Sequence, residues 1–155
     1  MTEGQAAQRK VVVGVDGSGC SVLALQWAGY AASLLHAQLE VVMAWEYPPS
    51  FGWAAIAPEW DPAQDAQKVL SETAEAVFGD TPPANVMLAA REGGAARVLL
   101  DESEDALLLV VGSRGHGGFV GLLLGSVSGN VAEHAPCPVL IIHGNQGPPP
   151  SVSAA

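Results

Sequence analysis

Residues 112–128 read GSRGHGGFVGLLLGSVS, with four glycines in the first seven positions, a Gly-Ser pair at 125–126 and Arg114 as its one fixed charge. Glycine offers backbone without side-chain bulk, and a Gly-Ser pair that opens a helix leaves amide N–H groups pointing outward. Such a strand-to-helix ribbon is an anion cradle, suited above all to phosphate. Gly112 and Gly115 allow a tight turn with close backbone approach, Gly125 and Ser126 start the helix, and Ser126 and Ser128 add hydroxyl donors. Charge-assisted hydrogen bonds of this kind contribute roughly 1.5–3 kcal/mol each. A second candidate is Asp16, a carboxylate in VGVDGSG at the end of an apolar run.

Other phosphate and catalytic motifs do not fit. A Walker A loop needs GK[ST] after its glycines, and the only lysines are Lys10 and Lys68. The dinucleotide fingerprint lacks its third glycine after Gly17 and Gly19. There is no GxSxG elbow, and no histidine pair has metal-ligand spacing. Duller roles compete at each position. Asp16 could cap a helix, the ribbon could be a plain flexible connection, and Arg114 and His116 could be solvated or touch a ligand without doing chemistry.

Sixteen acids against six Lys and Arg give a formal charge of −10, which repels nucleic acid and anionic membrane surfaces. Any anion must be held by local donors: backbone amides, a helix N-terminus or a shared cation. With 49% apolar and 14% charged residues, the chain is a globule of one domain. Cys20 and Cys137 form neither a CxxC pair nor a disulfide framework, Cys137 reads as a buried residue at a strand entry, and no apolar run approaches a membrane span. A cytoplasmic protein is expected.

The elements that must position these residues follow from periodicity. Five short apolar runs read as buried parallel strands: 10–16, 39–45, 85–91, 106–112 and 138–143. Between them, Leu23, Trp27, Ala31 and Leu34 mark one helical stripe, and Val69, Thr73, Ala76 and Val77 a second, started by Asp61-Pro62. A third helix is expected over about 95–104 and a fourth from Ser126 to before Pro136. Strand alternating with helix implies right-handed βαβ units, a parallel sheet with helices on both faces, and a ligand crevice at the C-terminal strand ends. Trp27 and Trp45 are expected in the core. Residues 46–60 form a long connection rich in aromatics, readable as a lid, a partner surface or a loop packed on its own domain. The ordered domain is expected over 9–143, between a flexible start at 1–8 and a disordered tail at 144–155.

Gly112-Ser-Arg-Gly115, nine residues, then Gly125-Ser126 resembles the G-2x-G-9x-G-[ST] signature of the universal stress protein family in its ATP-binding class, and VSGNVAEHAPCPVLII resembles the usual continuation. The resemblance implies an open sheet of strand order 3-2-1-4-5 with four helices, Rossmann-like. It implies that Gly14 and Asp16 lie beside the nucleotide and that Ala44, where the family more often has valine, presents backbone to adenine. Gly112, Ser113, Arg114, Gly115, His116, Gly117 and Gly118 would then surround ribose and phosphates, with Gly125, Ser126, Val127 and Ser128 capping the phosphates. The implied ligands are ATP or another adenine nucleotide, with Mg2+ or Mn2+ bridging phosphates. The implied assembly is a homodimer through the edge strand from Pro138 to His143. The function expected is regulation in stress adaptation through nucleotide occupancy, with a regulatory protein partner. The rivals are a slow ATPase or phosphotransferase in the same pocket, for which no general base stands out, and an interaction module without nucleotide.

Overall fold

A computed structural model describes residues 8–48, 59–115 and 124–150. In chain order the elements are β1 (Lys10–Gly14), α1 (Gly19–Leu35), β2 (Gln38–Trp45), α2 (Pro62–Phe78), β3 (Val86–Glu92), α3 (Ala95–Glu102), β4 (Leu108–Gly112), α4 (Ser126–His134) and β5 (Val139–Ile142). The strands form one sheet in the order β3-β2-β1-β4-β5. All four pairings are parallel, with Val12 opposite Glu40 on one side and Leu109 on the other. This is the expected α/β architecture, with the sheet reversing direction between β1 and β4.

Alternation along the strands sorts the core into two layers. Val11, Val13, Leu39 and Val41 face α1 and α2, where they meet Leu25 and Leu70. Val12, Val42, Leu109 and Val111 face α3 and α4, where they meet Val98, Leu99 and Val131. A central parallel strand is covered on both sides, so β1 and β4 need an unbroken apolar run instead of an alternating one.

The helical stripes differ from expectation. On α1 the buried line is Ala24, Leu25, Ala28 and Ala32, whereas Leu34 is 63% exposed. On α2 it is Ala66, Leu70, Thr73 and Ala74, with Ala76 exposed. A helix lying on a twisted sheet is seated by small residues that allow close approach, so larger side chains such as Leu23 and Trp27 flank the contact. Trp27 and Trp45 are accordingly half-buried, not enclosed. Trp45 instead starts an edge-to-face series with Tyr47 and Trp60, at centroid separations of 5.9 Å.

Both helices on this face are capped by side chains. Ser18 accepts from the Ser21 N–H, and Asp61 Oδ1 accepts from Ala63 and Gln64, with Pro62 opening α2. After β5 the chain continues without helix or strand as far as Pro150, and Trp27 Nε1 donates to the Gln146 carbonyl at 2.9 Å.

Candidate functional site

The C-terminal ends of β1, β2 and β4 and the first turns of α3 and α4 border one cavity of about 180 Å³. Its lining brings together Gly14, Asp16, Ala44, Gly112, Arg114, Gly115, Gly125, Ser126, Val127 and Ser128, drawn from sequence positions more than a hundred residues apart. His116, Gly117 and Gly118 lie outside the described residues. Ser113 does not line the cavity; it holds the frame behind it. Its N–H donates to Ile142 O at 2.7 Å, and its carbonyl accepts both the Gly125 N–H and the Ser128 hydroxyl, each at 2.7 Å. One backbone carbonyl therefore ties the start of α4 to the end of β4.

The glycines are required by space. A Cβ on Gly112 would come within 2.8 Å of Cys20 Sγ, because the first turn of α1 packs directly on that strand end. On Gly14 it would come within 2.7 Å of Leu99 Cδ1. On Gly115 it would fall on the Asp16 carboxylate, at Oδ2. Among the described glycines, those with positive φ are Gly17, Gly79, Gly93 and Gly144, so Gly112, Gly115 and Gly125 do not need left-handed backbone.

Asp16 lies two residues past β1 and does not cap α1, a task that falls to Ser18. Its Oδ1 accepts from the Ser18 N–H at 2.9 Å and its own N–H donates to Ser21 Oγ at 3.3 Å. These bonds turn the loop so that Oδ2 faces Gly115 across the crevice.

One end of the cavity is formed by the start of α4. Its N-cap is Gly125, and no side chain caps it, which leaves the amides of the first turn to a ligand or water. Asp16 and Arg114 are the charged residues of the lining, so the positive potential comes largely from these amides and the helix dipole.

At the other end the lining is apolar: Val42, Ala44, Ala95, Leu99 and Val111. Val42 O accepts from the Val15 N–H at 2.9 Å. Two residues on, period-two alternation turns the Ala44 N–H and C=O the same way, at a level where β1 has already ended. An acceptor next to a donor on a flat heterocycle would match that pair.

Val15, Ser21, Val42, Ala95, Leu99 and Val111 were not among the residues expected from sequence. Strand parity could have found Val42, which shares a face with Ala44. The rule that every helix in such a fold opens at the C-terminal edge could have found Ala95, directly after Gly93-Gly94.

A sequence profile described as the Universal stress protein family matches residues 8–143. A universal stress protein of Mycobacterium tuberculosis is 38% identical over 135 residues, a match that takes in 86% of this chain and 45% of the relative. The chain thus spans about half the length of the curated relatives it matches. Among solved structures, a universal stress protein in complex with cAMP superposes with a TM-score of 0.67 at 29% identity, covering 89% of this chain and 99% of the other. The universal stress protein of Archaeoglobus fulgidus in complex with dAMP shares the fold, with a TM-score of 0.62, 23% identity, and coverage of 87% and 98%.

Proposed function

The chain belongs to the universal stress protein family, and from that premise we propose that it is an adenine-nucleotide-binding regulatory protein of stress adaptation, with ATP as the leading ligand. The observation that carries this is the uncapped first turn of α4, held beside the ribbon by the Ser113 carbonyl and facing Asp16 across the cavity. The neighbours solved in complex with cAMP and with dAMP support an adenine nucleotide as the ligand.

Each part of the ligand has a counterpart. The Ala44 N–H would donate to adenine N1 and its C=O would accept from the exocyclic amine; guanine presents the opposite pattern and is rejected. The apolar wall of Val42, Ala95 and Leu99 would pack on the base. Asp16 would accept from ribose hydroxyls, which keeps its carboxylate away from the phosphates. The amides of Ser126, Val127 and Ser128 and the Ser126 hydroxyl would bind phosphate oxygens. His116, Gly117 and Gly118 are assigned to the ribose and phosphates with Gly115.

A divalent cation fits only as a bridge carried by the phosphates. Among the described residues no group of three or more His, Cys, Asp or Glu could hold a metal, and Asp16 is the one acid of the lining. Mg2+ or Mn2+ would take phosphate oxygens and water as most of its ligands and reduce repulsion from the surrounding acids.

A ligand that binds one conformation better than another shifts the population toward it, which is how occupancy becomes a signal to a protein partner. The homodimer is assigned to the sheet edge at β5, where Val139, Leu140 and Ile141 are half-buried. Calorimetry of the purified chain with ATP and Mg2+, and with AMP, cAMP and GTP, tests the ligand class. Uptake of adenine nucleotides and not GTP is expected; well-folded protein that takes up none of them would refute the proposal. Phosphate release in the same samples separates a binding protein from a slow ATPase.

A further inference from the structure

We propose that the outer flank of α1 is a recognition surface for uncharged, proline-rich peptide segments, and that residues 144–150 occupy it in cis as a detachable strap. The inference is independent of the nucleotide site. It starts from a disparity between the two helices of one face. α2 carries Asp65, Lys68, Glu72 and Glu75, whereas the 17 residues of α1 include no charge at all. A helix without charge has no strongly solvated side of its own. Ala24, Ala28 and Ala32, with Leu25, take the sheet. Trp27, Tyr30 and Leu34 follow at i, i+3 and i+7 and form a second stripe along the flank. Tyr30 meets Trp27 edge to face at a centroid separation of 6.1 Å, which steadies the indole.

The strap reaches this flank from the end of β5. Ile142 O accepts from the Ser113 N–H at 2.7 Å and from the Cys20 thiol at 3.3 Å, which fixes the point of departure. Gly144, at φ +77°, turns the chain. Gln146 O then accepts from Trp27 Nε1 at 2.9 Å, and Gly147 passes beside Gln26, close enough that a Cβ would lie 3.5 Å from Oε1. Residues 143–146 are exposed, whereas Gly147 and Pro148 are half-buried, so burial sets in where the chain meets the helix.

A tryptophan beside a proline run is the pairing by which aromatic surfaces read extended peptides. Pro148, Pro149 and Pro150 hold φ near −65° and lose little freedom on docking, and GNQGPPP is as free of charge as the helix beneath it. One solvent-facing hydrogen bond and two half-buried residues hold the strap weakly, so a partner segment of the same chemistry can displace it. Leu34 and Leu35 in the last turn of α1 remain exposed, which gives a longer segment apolar surface that the strap leaves bare.

The test follows the Trp27 indole N–H by NMR in the full chain, assigned by its loss in Trp27→Phe. Pro148→Gly, Pro149→Gly and Pro150→Gly together weaken the strap, and because they lie outside every helix and strand the variant should fold. The probe is the peptide GNQGPPP. The triple variant should shift the indole signal, and added peptide should return it toward its natural position; the peptide GNQGGGG should bind at least about tenfold more weakly. In the natural chain the tethered strap competes at an effective concentration in the millimolar range, so GNQGPPP should bind at least about tenfold more weakly than to the variant. An indole signal unmoved by the triple substitution, a variant on which the peptide has no effect, or equal binding to both chains would overturn the proposal. So would self-association of the natural chain that Trp27→Phe abolishes, because the flank would then hold the tail of a second copy.

Discussion

The two faces of the sheet are built to different rules. On one face α1 and α2 are 17 residues each, seated by small residues and closed at their N-termini by Ser18 and Asp61. On the other, α3 and α4 have 8 and 9 residues and begin at Gly94 and Gly125 with no side-chain cap. The cavity lies on the second face. Capping satisfies helix amides internally, whereas leaving them unclaimed keeps them available for an anion. One face thus uses its caps for stability, and the binding proposed for this chain falls on the other.

Core truncation gives the largest expected effect and tests that division. Leu25→Ala, fully buried against α1's side of the sheet, should lower stability by about 2–5 kcal/mol in chemical denaturation, while the folded fraction binds adenine nucleotide normally. Loss of intrinsic affinity in that variant would break the division. Gly115→Val should do the reverse: its side chain would meet the Asp16 carboxylate, and affinity measured by calorimetry should fall about 10- to 100-fold, as for loss of one charge-assisted bond. Asp61→Ala removes the α2 cap and should cost about 1 kcal/mol of stability in a denaturant titration, with no change in binding.

Glu40→Gln sharpens the contrast through pH. A carboxyl whose folded pKa is raised stabilises the protein below its unfolded pKa, and that contribution is lost as pH rises through the folded value. Glu102, lowered, works in the opposite sense: its contribution is present above the unfolded pKa and lost in acid. Neutralising Glu40 should therefore raise the melting temperature near neutral pH and leave it unchanged in acid. The smallest effect is expected from Gly94→Asp, which has open space at its Cβ and supplies the missing cap of α3. It should stabilise by only a few tenths of a kcal/mol in thermal melts.

Much of this architecture was legible in the residues themselves. Runs such as Val11–Val13 and Leu109–Val111 announce strands covered on both faces, and the Gly-Ser at 125–126 announces the start of α4. The helix stripes were legible in period but not in phase. Hydrophobicity favours Leu34, whereas contact with the sheet selects Ala28 and Ala32, and no local signal separates an alanine that seats a helix from one that faces water. Asp16 and Gly115 were visible as candidates, but their mutual approach arises only when β1 and β4 pair. Leu99 was hidden for the same reason: its role depends on α3 crossing the end of β1. Glu40 reads as one acid in an apolar run, and its ion pair with Lys10 shows only once β1 and β2 align.

The Ser113 carbonyl has a broader consequence. Because it accepts from both the Gly125 amide and the Ser128 hydroxyl, one acceptor fixes the register of α4 against the end of β4. The clasp holds strand and helix together while the opening amides of α4 stay unspent.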